Sequence, residues 1–219
     1  MKKIIVFFAI ALISFSSFGQ KLDNEFYFRF GYSNPSWEQF GLTDEFRGDE
    51  GLESKTGAIF ELGTIFMINS LPASDKMAFG INVDYLYLNY NNFSTIDNEF
   101  NIGTMRVGSK IGPSFTFSPT KRLAFDIFAK VDIAWATATA FYENSIEDAD
   151  ETYIAKMATG FSTGLNIRFG ILMIGLEYNT ISPELESDDY PGEFIGNLSD
   201  ENSNKSPLPS MNFTLGLSF

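Results

Sequence analysis

The chain contains neither cysteine nor histidine. Without thiols it can form no disulfide, no thiolate nucleophile and no sulfur metal site, and it offers nothing for a lipoprotein anchor to acylate. Without imidazole it lacks the commonest general base and the commonest metal ligand. Basic residues are scarce as well: 15 Lys and Arg stand against 28 Asp and Glu, a formal net charge of −13. That balance excludes nucleic acid as a partner, which would need a basic face. No GxSxG, phosphate-loop or HExxH pattern occurs, so neither the sequence motifs nor the residue inventory suggest an enzyme, a cofactor or a metal centre.

Long apolar runs are also missing. The longest, Ile4 to Ile13, falls well short of the ~20 residues a helical membrane span requires. Preceded by Lys2 and Lys3 and followed by Ser16, Ser17, Phe18 and Gly19, it reads as residues 1–19 of a secretory signal peptide, cut after Gly19. Residues 20–219 then form one domain. That domain is rich in aromatic residues (16%) and carries 18 glycines, dealt out in alternating patterns that suit strands and not helices.

The most informative stretch is Leu123 to Phe141. One parity carries Leu123, Phe125, Ile127, Ala129, Val131, Ile133 and Trp135; the other carries Asp126, Phe128, Lys130 and Asp132. Successive strand residues point to opposite faces, so charge in the middle of one face and hydrocarbon along the other fit a wall between lipid and a polar lumen.

The same alternation predicts strands over 25–33, 57–69, 77–90, 101–117, 152–169, 171–180 and 210–219. In strand 3, Phe79, Ile81, Val83, Tyr85 and Tyr87 are assigned outward. Pro113 cannot donate to a ladder and predicts a bulge in strand 4. The fold expected is all-β: an eight-stranded, antiparallel, up-and-down transmembrane β-barrel with short periplasmic turns and long acidic extracellular loops.

Inward positions hold Arg29, Arg106, Lys110, Lys130, Lys156 and Arg168 against Glu61, Asp84, Asp126, Asp132 and Glu177. A barrel of this size has room only for side chains. These near-cancelling charges are therefore expected to pair across the lumen and plug it, with Asp126 and Asp132 partnering Lys130, Arg106 or Lys110 instead of serving as a catalytic pair. The glycines among them leave space for the long cations.

The predicted loops carry 20 of the 28 acids. Glu147, Asp148, Asp150, Glu151, Glu186, Asp188 and Asp189 are candidates for a divalent cation or a basic partner. None of the loops has the regular oxygen-ligand spacing of a calcium loop. Outward aromatics gather near both strand ends, as two interfacial girdles would require.

The last predicted strand alternates Phe213, Leu215, Leu217 and Phe219 with polar residues and ends on an aromatic. This pattern resembles the signal that outer-membrane barrels present to their insertion machinery. Taken with the export signal, the chain resembles the OmpA/OmpX-like small barrels and, within them, is similar to the PorT-like "outer membrane protein beta-barrel domain" group. The resemblance implies a location in the outer membrane of a Gram-negative envelope. It also implies contact with outer-membrane lipid and lipopolysaccharide, and handling by the barrel-insertion machinery. Small barrels of this kind that act on lipid A or peptides generally use a histidine, which this chain lacks. A non-catalytic monomer with structural or interaction roles is the leading reading. A narrow small-solute or ion channel, a secretion-accessory barrel and a soluble periplasmic lipocalin-like barrel are its alternatives.

Overall fold

The computed structural model describes residues 22–35, 52–68, 74–95, 100–142, 151–155, 157–182, 185–187 and 209–219. The signal segment 1–19 and Lys156 lie outside these residues, as do Glu147, Asp148, Asp150, Asp188 and Asp189 and the side chains of Glu151 and Glu186. Ten strands follow one another: β1 Glu25–Pro35, β2 Leu52–Met67, β3 Met77–Thr95, β4 Phe100–Thr120, β5 Leu123–Tyr142, β6 Glu151–Ala155, β7 Ala158–Phe169, β8 Leu172–Ile181, β9 Leu185–Ser187 and β10 Ser210–Ser218. No helix occurs among the described residues.

Each long strand pairs antiparallel with its neighbour in the chain, and β1 pairs with β10. Eight strands thereby close into an up-and-down barrel, with β6 and β9 extending the wall on the side of the longer connections. Phe26 N donates to Phe219 O at 3.0 Å and Phe219 N returns a bond to Phe26 O at 2.8 Å, which completes the seam. Closure leaves the barrel without an unpaired edge.

The walls are longer than the sequence alternation indicates. β4 runs for 21 residues and β5 for 20, well beyond the 9–11 that a tilted strand needs to cross hydrocarbon. Part of the expected first loop, from Leu52, is strand, and β9 lies inside the expected longest loop. The predicted strand over 152–169 is broken into β6 and β7, and its register against β5 slips at the break.

Pro113 does not make the expected bulge. It stays in register with Ile81 of β3, and on the other side the pairings of Gly112 and Pro113 with β5 lapse and resume at Ser114 and Phe128 without a shift. The missing proline N–H removes ladder bonds without inserting a residue.

The bulge lies instead in β3, where the register shifts between Asp84 and Tyr87 against β4 and between Leu62 and Gly63 against β2. Tyr85 and Leu86 both face outward there, and Ser109 Oγ donates to Tyr85 O at 2.8 Å, serving a carbonyl at the irregular step. The extra residue inverts the parity of everything after it. Tyr87, expected outward, is turned inward and only 1% exposed.

Candidate functional site

Two populations of side chain divide the wall. Outward positions are apolar and open: Ile127 is 59% exposed, Leu215 62% and Phe30 63%. Inward positions are polar and closed. Eleven ionic residues are buried among the described ones, the cations Arg29, Arg106, Lys110, Lys130 and Arg168 and the acids Glu25, Glu61, Asp84, Asp126, Asp132 and Glu177. An uncompensated charge in such an interior would be very costly, so the arrangement of partners decides whether the fold is tolerable. They form three tiers along the axis.

At the turn side, Arg168 of β7 makes a fork to Asp126 of β5, with Nε 2.7 Å from Oδ2 and Nη2 2.9 Å from Oδ1. Its Nη1 reaches Glu25 Oε1 of β1 at 2.7 Å, and Thr116 donates to Asp126 Oδ1 at 2.6 Å. Two parallel N–H···O bonds fix a guanidinium more firmly than a point contact does. Asp126 thus answers Arg168, whereas the charge pattern suggests Lys130, Arg106 or Lys110. Glu25 is absent from the sequence-derived lumen set although it shares the parity of Tyr27 and Arg29. Its position at the first residue of β1 concealed it. Beside this tier an apolar cluster of Tyr27, Ile65, Met67, Ala78 and Met173, with Leu22 packed against it, occupies the turn-side end of the interior.

The middle tier is the densest. Glu177 of β8 accepts from Arg29 Nη2 at 2.6 Å and from Lys130 Nζ at 3.2 Å, and it also pairs closely with Lys110. Glu61 of β2 pairs with Arg29 Nε and takes Lys110 Nζ at 2.8 Å. Asp84 accepts from Lys130 Nζ at 2.5 Å and is also hydrogen-bonded by Tyr27. Three cations therefore meet three carboxylates drawn from six strands.

Aromatic rings fill the space between them: Lys130 Nζ stands 4.2 Å from the Phe128 ring centroid and Lys110 Nζ 4.3 Å from that of Tyr87. Such contacts favour a desolvated ammonium. Gly175 makes room for the largest member, because a Cβ there would lie 2.7 Å from Arg29 Nη1. Oxygens of Glu61, Asp84 and Glu177 lie within 4.8 Å of one another, close enough for a metal ion. Their charge is met by the side chains of Arg29, Lys110 and Lys130.

Toward the loop side the ionic groups give way to amides. Asp132 accepts from Tyr87 OH at 2.9 Å and from Asn179 Nδ2 at 2.6 Å. Arg106 donates to Asn179 Oδ1 at 2.8 Å, Asn89 Oδ1 at 2.8 Å and Ser210 Oγ at 2.6 Å. Asn89 in turn donates to Ser33 at 2.8 Å. Asn179 shares the inward parity of Glu177 in the sequence, but Asn89 went unnoticed because it lies beyond the parity inversion in β3.

Phe213, Leu215 and Phe219 stand exposed on the outside of the seam and Leu217 half-buried there, with the Phe28 and Phe219 rings 6.1 Å apart.

No protein-family model and no curated relative matches the chain. Among solved structures it is similar to Ail, the attachment invasion locus protein of Yersinia pestis, at 11% identity over 90% of this chain and 99% of that one, with a TM-score of 0.46. It is also similar to the outer membrane protease OmpT of Escherichia coli, at 13% identity over 77% of this chain and 65% of that one, TM-score 0.42. Neisserial surface protein A is similar at 10% identity over 88% of this chain and 95% of that one, TM-score 0.40.

Proposed function

We propose that the chain is an integral outer-membrane β-barrel without catalytic activity, its interior plugged by paired charges and its acidic loops displayed for contacts outside the cell. The observation that supports this most directly is the inverted partition of the wall. Arg29, Lys110, Lys130 and Glu177 are enclosed, while Ile127, Ile174, Phe213 and Leu215 are bare. In water the exposed face would amount to a continuous apolar band, which soluble monomers rarely present. Against lipid the same band is the required surface, and the ladder pairs neighbouring strands all the way round the wall. A lipocalin-like barrel would need the reverse, with apolar residues inside.

The tiers support the plugged reading. In an eight-stranded barrel the interior is about as wide as the side chains that fill it. Here an apolar cluster, an ionic tier and an amide tier succeed one another along the axis. The loops carry most of the acid in the sequence. The functional contacts of those loops are proposed as ionic, with divalent cations or a basic partner.

The test has two parts. Purified protein should float with lipid vesicles and migrate faster on a gel before heating than after it. In planar bilayers it should give no steady unitary current. Failure to float would overturn the membrane reading, and reproducible unitary currents would overturn the plugged interior while leaving the membrane reading standing.

A further inference from the structure

The exposed side-chain charges on the turn side are unevenly distributed around the rim. Among the described residues they are Lys76 and Asp75 before β3, Lys121 and Arg122 between β4 and β5, and Asp23 before β1. The arc over β3, β4 and β5 therefore carries three cations and one acid, although the chain as a whole is at −13. The neighbouring turns are tied together. Ser118 N donates to Lys76 O at 2.7 Å, and Gly170 N donates to Arg122 O at 2.8 Å. The turn holding Lys121 and Arg122 is also set, because Thr120 Oγ1 accepts from Arg122 N at 3.3 Å and from Leu123 N at 3.2 Å. Two of the three cations thus project from a turn whose backbone is fixed before any partner arrives.

Next to this arc, on the outside of the wall, stand Phe79, Phe115, Phe117, Phe125 and Phe169, with the Phe79 and Phe115 rings 5.3 Å apart. Aromatic rings at one end of an apolar wall mark the level of the headgroups. Cations immediately beyond that level stand where phosphates lie. The acids at the turn-side end of the lumen, Asp126 and Glu25, are engaged by Arg168 inside the barrel.

We infer that the arc of Lys76, Lys121 and Arg122 is a binding surface for the phosphate of an anionic phospholipid in the leaflet at the turn side of the barrel. This rests on the membrane reading above. The rings seat between acyl chains, the three cations meet the headgroup charge, and the attraction holds this sector of the barrel at a defined depth. Each basic residue near an anionic surface strengthens binding about fivefold. Among the described residues, the sector entered at Asp23 carries no exposed cation.

Native mass spectrometry of the folded barrel in a non-ionic detergent tests this, with phosphatidylglycerol or phosphatidylcholine added at equal concentration. The wild-type chain is expected to retain phosphatidylglycerol at least fivefold better, about the contribution of one such residue. The triple variant K76Q/K121Q/R122Q should lose that preference while keeping its heat-modifiable mobility, and K55Q at the other end should keep both. Equal retention of the two lipids, or a preference unchanged in the triple variant, overturns the inference. So does a preference abolished by millimolar inorganic phosphate, which would indicate a site for the soluble anion, or stronger retention of lipid A than of phosphatidylglycerol. Vesicle flotation in parallel separates the two readings: a protein that floats without preference refutes the headgroup site alone.

Discussion

Replacing Glu177 by Gln should be the most damaging conservative change in the interior. Glu177 shares its two oxygens among Arg29, Lys110 and Lys130, so the substitution leaves three buried cations facing only Glu61 and Asp84. Removing one partner of a buried pair costs about 3–5 kcal/mol because the other charge stays enclosed. Glutamine keeps the shape and one acceptor oxygen, which places the expected loss near the lower end, about 3 kcal/mol.

Urea unfolding of vesicle-inserted protein would measure it, followed by tryptophan fluorescence and by the heat-modifiable band. The decisive comparison is the double variant Glu177→Gln with Lys110→Met, which restores equal numbers of cations and carboxylates in that tier. It should recover at least about 1.5 kcal/mol relative to the sum of the single changes, a coupling within the range seen for residues in one ionic network. A Glu177→Gln barrel within 0.5 kcal/mol of wild type, as surface substitutions usually are, would refute the charge-balance reasoning. Strict additivity in the double variant would do the same.

Three further outcomes are expected. Ile127→Arg, on the outward face of β5, should cost about 2–4 kcal/mol in lipid while Ile127→Leu costs little; equal tolerance of both would contradict the assigned faces. Tyr87→Phe removes a donor from Asp132 and should cost about 1–3 kcal/mol, whereas a Tyr87 that faced lipid would lose nothing with its hydroxyl, so the unfolding midpoint reports directly on the β3 bulge. Gly175→Ala drives a methyl group against Thr214 Oγ1 and Arg29 Nη1 and should cost about 1–3 kcal/mol through overpacking; an unchanged midpoint would mean that neither side chain needs that space.

The sequence exposes the barrel because hydrocarbon and charge alternate with the same period as the strand. Ile127, Lys130 and Glu177 can each be assigned a face without coordinates. What it does not expose follows from the same rule. An inserted residue changes parity without changing composition, so nothing in the run from Tyr85 to Leu88 announces that Tyr87 points inward. Proline, the residue that does announce an irregularity, is accommodated at Pro113 by dropping ladder bonds.

Charge identifies which residues are enclosed but not which ones meet. Asp126 lies closer in sequence to Lys130, yet it is Arg168, across the β5–β7 pairing, that grips it. Of the amide tier, Arg106 and Asn179 were legible by parity, whereas Asn89 was hidden by the β3 bulge. The break after Ala155 falls where a continuous strand was expected, because polar and apolar residues there still alternate well enough to suggest one.

The β1–β10 seam has a consequence for assembly. Every other long pairing joins strands that follow one another along the chain, so each can form by hairpin growth as the polypeptide is delivered. The bond pair between Phe26 and Phe219 instead waits for the last strand and closes the largest loop the molecule contains. The cylinder therefore shuts like a clasp, late and all at once, and an arrested intermediate that has yet to add β10 should be a curled ribbon whose two raw edges are β1 on one flank and β8 on the other.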